Sequence, residues 1–195
     1  FISWGASFGP RTANGEWWRL FTSLFVHASV LDLLVNLLAL VPLGLMLERI
    51  VGPLAFTAVY FPPGAFCTLF PLSVFPIPVG AGATGAVAGS YAFMLAVSLW
   101  GVSQRPRLVL PWLTVKGLAI CSGLFVLHAW LTGAAAVAVV GFASGLLTGL
   151  TVSRGVNTRR TPAVRMAATA ATMACIAIVT AVPLRGITDA RQDIA

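Results

Sequence analysis

The sequence predicts an all-α bundle of membrane-spanning helices. Three observations lead there. Of 195 residues, 58% are hydrophobic and only 9% are charged, whereas a soluble domain carries roughly 25% charged residues. The apolar residues form runs of about 20, enough to cross a hydrocarbon core roughly 30 Å thick. The net charge of +7, from 12 Lys+Arg and 5 Asp+Glu, collects at the ends of those runs, as membrane topology requires. That placement argues for the lipid bilayer as partner and against nucleic acid. A water-facing surface cannot be built from so few charges, so residues 1–195 read as a single membrane domain.

Residues 1–30 are amphipathic and aromatic, with Trp4, Trp17, Trp18, Phe21 and Phe25, and carry turn signals at Gly9-Pro10 and Asn14-Gly15. Tryptophan favours the membrane–water interface, so this stretch predicts an outer interfacial loop with short helices. Leu31 to Ile50 is the first span, ending in Glu48 and Arg49 as a helix-end charge pair. Leu54 to Leu72 is the second; Pro62-Pro63-Gly64 inside it predicts a kink, since neighbours can satisfy the freed carbonyls. Ser73 to Ala83, with Pro76 and Pro78, reads as a loop. Thr84 to Val102 is the third span, Leu108 to Leu131 the fourth, Ala134 to Val152 the fifth and Val164 to Leu184 the sixth. Residues 153–195 thus comprise a basic loop, an extra span and a polar tail. Residue 1 is Phe, with no signal peptide before it, and suggests a chain beginning partway into a longer protein.

With six alternating spans, Arg49, Arg105, Arg107, Arg154, Arg159, Arg160 and Arg165 share one side, and Lys116 leans toward it. Arg11, Arg19, Arg185 and Arg191 lie opposite. The positive-inside rule makes the first side cytoplasmic. The N-terminal loop and the loop before Thr84 then face outward, and the Ala/Arg-rich, Lys-poor composition suggests a bacterial inner membrane. Cys67, Cys121 and Cys175 sit singly in apolar runs, which predicts small core residues rather than a metal site or a disulfide. Glycines recur four apart at Gly85/Gly89, Gly141/Gly145 and Gly145/Gly149. Such spacing lets membrane helices approach backbone to backbone, and it pairs the third span with the fifth. The same pairs could instead join two chains, so oligomeric state stays open.

Several motifs together resemble the rhomboid family of intramembrane serine proteases. Gly15-Glu16-Trp17-Trp18-Arg19-Leu20 is similar to the family's Trp-Arg motif in its first outer loop. His27-Ala28 followed by Asn36 resembles its His-Ala-x-x-x-His-x-x-x-Asn motif, and Glu48-Arg49 with Gly52 matches the usual end of that helix. Gly82-Ala83-Thr84-Gly85 resembles its Gly-x-Ser-Gly nucleophile motif, and Gly145 and Gly149 its His-x-Gly-Gly-x-x-x-Gly pattern. The resemblance covers about residues 4 to 152, with the core at 31–152. It implies a further span before Phe1, no cofactor, and transmembrane helices as substrates or clients.

The departures fall on the chemistry. The resemblance puts the nucleophile at Thr84, the general base at Phe142, and the second loop histidine at Asp32, leaving Asn36 for the oxyanion. A hydroxyl is a poor nucleophile unless an adjacent base takes its proton, and phenylalanine has no lone pair. Threonine also restricts χ1, and an anionic Asp32 would repel developing negative charge. Losing one member of a catalytic unit costs nearly as much as losing them all. His128, near the outer end of the fourth span, is either a relocated base or an interfacial residue beside Trp130. Asp32 reads as a polar anchor of the outer loop, or as an acceptor for Thr84. The sequence therefore predicts a rhomboid-like pseudoprotease that binds helices of client proteins. The alternative is a threonine-based protease cleaving them near the outer end. A transporter ranks last, because the span centres are nearly free of ionisable residues.

Overall fold

The computed structural model describes residues 2–51, 53–74, 79–104 and 112–157. The sixth span, the polar tail and the basic residues at 105, 107, 154, 159, 160 and 165 fall outside the described residues or their described side chains, as does Cys175.

The outer stretch folds as expected, into short pieces. A 3-10 turn at Ile2–Trp4 leads to strand β1 (Ser7–Phe8) and two short helices, α1 (Gly9–Ala13) and α2 (Arg19–Thr22). Five long helices follow. They are α3 (Val30–Val51), α4 (Pro53–Val74), α5 (Thr84–Gln104), α6 (Trp112–Leu131) and α7 (Ala135–Asn157). Strand β2 (Val79–Gly80) pairs antiparallel with β1, Ser7 opposite Gly80 and Phe8 opposite Val79. The segment before Thr84, read as plain loop, is thereby tied to the outer loop, and α4 extends to Val74. Helix α4 also runs through Pro62 and Pro63 without interruption.

Val30–Arg49 is long and apolar enough to cross a membrane, with 20 residues at a mean hydropathy of 2.3. The apolar stretches of the other helices, such as Thr84–Ser98 and Ala135–Leu150, are shorter, although the helices themselves run 20 to 23 residues. Glu48 and Arg49 are exposed at the end of α3, and no ion pair joins them. Adjacent helix positions point about 100° apart and do not face each other.

The helices meet unequally. Helix α5 packs most extensively on α7 and next on α4, while α6 leans on α3 and touches α7 lightly. Glycine explains the first contact. A Cβ on Gly141 would collide with the Gly85 carbonyl, and one on Gly145 with the Gly89 carbonyl. A Cβ on Gly89 would lie 2.6 Å from Pro63 Cβ, and one on Gly149 2.6 Å from Ala96 Cβ. Lipid tails are as apolar as leucine, so close packing rather than escape from water holds membrane helices together. The expected pairing of the third and fifth spans is this seam. Around it Leu24, Ala39, Tyr60, Ala86, Val87 and Phe125 form one core, and Leu43, Leu47, Val59, Phe93 and Met94 another. Core hydroxyls bond back along their own helices: Ser90 to the Ala86 carbonyl, Thr68 to Gly64 and Ser144 to Gly141. Such bonds satisfy donors where no water reaches.

Candidate functional site

The site is assembled from the N-terminal ends of α3 and α5 and the C-terminal end of α6, under the outer loop. Arg19 organises that loop. It is buried, and its Nη1 donates to the carbonyls of Ile2 (2.6 Å) and Ala6 (3.0 Å), while Nε faces Glu16. Its guanidinium also lies 4.6 Å from the ring centre of Trp18, which is half exposed. From the same region, the Ser23 carbonyl accepts the Gly82 N–H at 2.9 Å. Gly82 has φ +105°, a conformation that side-chain-bearing residues rarely adopt, and it turns the chain into α5 at Thr84. The Trp-Arg motif thus holds the outer loop, and the outer loop holds the turn that presents Thr84.

Asp32, Asn36 and His128 are brought together. Asp32 sits in the first turn of α3 and is buried. Its Oδ2 accepts the Ala28 N–H at 3.2 Å, and its own N–H donates to Ser29 Oγ at 3.1 Å. This reciprocal arrangement resembles a capping box. Ser29 has a role here that the sequence reading does not assign it, although Ser29-x-x-Asp32 ahead of an apolar run is the signal for one. Asn36 Nδ2 donates to the Asp32 carbonyl (2.8 Å) and to Asp32 Oδ1 (2.9 Å). His128 Nε2 lies 3.9 Å from Asp32 Oδ1. His128 is therefore buried between helices in the last turn of α6, while Trp130 is 75% exposed. Asp32 sits in the helix and its carboxylate ties the loop residue Ala28 to it.

Thr84 is buried, and among the described residues its hydroxyl makes no hydrogen bond. It borders the Asp32 cluster: the position a Gly82 Cβ would take is 3.6 Å from Asp32 Oδ2 and 3.9 Å from Thr84 Oγ. His27 Nδ1 lies 3.3 Å from the Phe25 carbonyl, and no contact joins that histidine to Thr84. Gly85 faces Cys67, where a Cβ would collide with the thiol side chain; Cys67 Sγ in turn donates to the Val137 carbonyl at 3.4 Å.

Phe142 follows Gly141, whose backbone packs on Gly85 beside Thr84. Phe142 is 39% exposed and lines a groove of about 610 Å³ walled by α5, α6 and α7, with Met46 of α3. Tyr91, Phe125, Ala129, Trp130 and Val139 share the lining, which is almost wholly apolar. An aromatic ring on the groove wall thus occupies the position that the resemblance gives to the base, one residue from the contact of Gly141 with Gly85.

Comparison with known proteins agrees with the motifs. A family model for the rhomboid domain matches residues 14–156. Rhomboid protease GluP of Bacillus subtilis is 35% identical over 98 residues, which cover 50% of this chain and 19% of that protein. Putative rhomboid protease YdcA of the same organism is 35% identical over 89 residues, covering 45% of each. Inactive RHOMBOID-like protein 8 of Arabidopsis thaliana is 36% identical over 66 residues, covering 34% of this chain and 19% of that protein. The chain spans less than half the length of these relatives, and no solved structure matches it significantly. With a family model matched over most of its length, the chain belongs to the rhomboid family of integral membrane proteins.

Proposed function

We propose that this chain is a rhomboid pseudoprotease that binds transmembrane helices of client proteins without cutting them. One observation carries the reading: Thr84 Oγ has no hydrogen-bond partner among the described residues, and the base position is Phe142. A neutral alcohol without a base is not a nucleophile at neutral pH. The groove beside Phe142 suits a helix, being open and lined by apolar side chains of α5, α6 and α7. A relative bearing the word inactive in its name adds support, and the relatives named as proteases weigh on the other side. The expected setting is a multi-pass protein of a bacterial inner membrane, with the Gly82–Thr84 turn facing outward.

The test is cleavage of a generic rhomboid transmembrane substrate in lipid, comparing wild type, Thr84→Ala and Thr84→Ser/Phe142→His. Intact substrate with wild type is expected. Cleavage by wild type that disappears in Thr84→Ala overturns the reading. Activity gained by the double change supports a scaffold that has lost its chemistry and kept its groove.

A second reading has one observation in its favour. His128 lies against Asp32, with Nδ1 unpartnered, as a base oriented by a carboxylate would be. It makes Thr84 a nucleophile served by His128, and it requires that His128→Ala abolish cleavage as completely as Thr84→Ala.

A further inference from the structure

The cluster where α3 and α6 meet is rich in acceptors, and no Lys or Arg among the described residues bonds to it. Asp32 Oδ2 accepts one hydrogen bond, from Ala28, and Oδ1 accepts one, from Asn36. An ionised carboxylate has about four acceptor sites, so half its capacity is unused. Asn36 is only 2% exposed, and its Oδ1 has no partner among the described residues. The orientation of that amide is fixed by its neighbour. Turning it over would set an oxygen against the Asp32 carbonyl and carboxylate, which are both acceptors. Nδ1 of His128 and Nε2 of His27 are also buried without partners, and a neutral imidazole keeps one acceptor nitrogen. Arg19 turns away, toward the Ile2 and Ala6 carbonyls and Glu16.

The cluster lies outside the groove lining, one turn beyond it along α5 and next to it in sequence on α6. Ala88 lines the groove, and Thr84 lies one turn outward on the same face of α5. The Gly82 Cβ position links Thr84 to Asp32, within 4 Å of both. On α6, His128 directly precedes the lining residues Ala129 and Trp130. A helix that lay in the groove and ran on past Ala88 toward Thr84 would bring its last turn toward these acceptors. Donors would suit an anion there; a buried carboxylate with a vacant amide oxygen suits an N–H-bearing cation. Such a cation is costly in lipid unless it is paired, so the pairing discriminates strongly between helices.

Resting on the client-helix reading above, we infer that the Asp32–Asn36–His128 cluster recognises a basic side chain, lysine or arginine, in the outer turns of a client transmembrane helix. The experiment uses the full chain in nanodiscs and fluorescent Leu-rich helical peptides. One peptide carries a single lysine near one end, one a glutamine there, and one only leucine. The lysine peptide is expected to bind at least about tenfold more tightly than the leucine peptide, equivalent to about 1.4 kcal/mol. In Asp32→Asn that preference falls below about threefold, because the amide keeps an acceptor for Ala28 but removes the charge. Equal binding of the lysine and leucine peptides overturns this inference and leaves the client-helix reading standing. Equal gain for glutamine and lysine, or a lysine preference that survives Asp32→Asn, overturns it too. Failure of every peptide to bind overturns both. The wild-type comparison of peptides does not depend on any variant folding.

Discussion

His128 Nε2 on α6 lies 3.9 Å from Asp32 Oδ1 on α3. This contact joins the helix that packs most loosely against the seam to the helix that opens the membrane-embedded part of the chain. The two partners are not equivalent. Asp32 also accepts the Ala28 N–H and the Asn36 amide, so its removal leaves two donors unanswered. Asp32→Leu is expected to cost about 1–3 kcal/mol, and His128→Leu less than about 1 kcal/mol. Unfolding of both variants in bicelles checks the order; a larger loss from His128→Leu would contradict it.

The seam between α5 and α7 predicts a sharp contrast among glycines. Gly145→Val drives a side chain into the Gly89 backbone, which cannot move aside as a side chain could. The expected loss exceeds about 3 kcal/mol, the upper end of overpacking costs, and is read as loss of folded protein after extraction. Gly123 on α6 has nothing within 4 Å of a Cβ. Gly123→Ala is expected to be neutral or to gain up to about 1 kcal/mol from helix propensity.

Arg19 predicts an equally unequal pair in the outer loop. Arg19→Ala removes two charge-assisted bonds to buried carbonyls, and is expected to cost about 3 kcal/mol. Trp18→Leu, at a half-exposed ring, is expected to cost less than about 1 kcal/mol. The thermal midpoint of each purified variant decides between this order and its reverse.

The groove offers a test that spares the fold. Val139 lines it and is 67% exposed, so Val139→Trp fills groove space without disturbing the packed side of α7. Affinity for a Leu-rich transmembrane peptide is expected to fall about tenfold while the thermal midpoint stays within about 2 °C. Unchanged affinity would place the client helix elsewhere.

Much of the architecture was legible because it rests on local pattern. Apolar runs near 20 residues mark Val30–Val51 and Thr84–Gln104, and glycines four apart announce the seam. The continuity of α4 through Pro62-Pro63 was legible from the length of its apolar run, because neighbouring helices can satisfy the freed carbonyls. The pairing of β1 with β2 was not legible, since two-residue strands carry no periodicity. At the site, the sequence pointed to Thr84, Asp32, Asn36 and Phe142, but not to the contact of Asp32 with His128. His128 meets Asp32 only because α6 folds back on α3, a contact far apart in the chain. Ser29 was readable as a cap and was overshadowed by the motif around it.

The glycine seam also sets an order of assembly. Helices α5 and α7 are separated in the chain by α6, yet their backbones must end in direct contact. During synthesis α5 is made two helices before its partner exists. Its glycine stripe then meets the side chains of Pro63 and Cys67 on α4, but not α7, until α7 arrives. Biogenesis therefore has a late committed step, and a ribosome-stalled chain ending before Gly141 would expose an unzipped α5 to quality control.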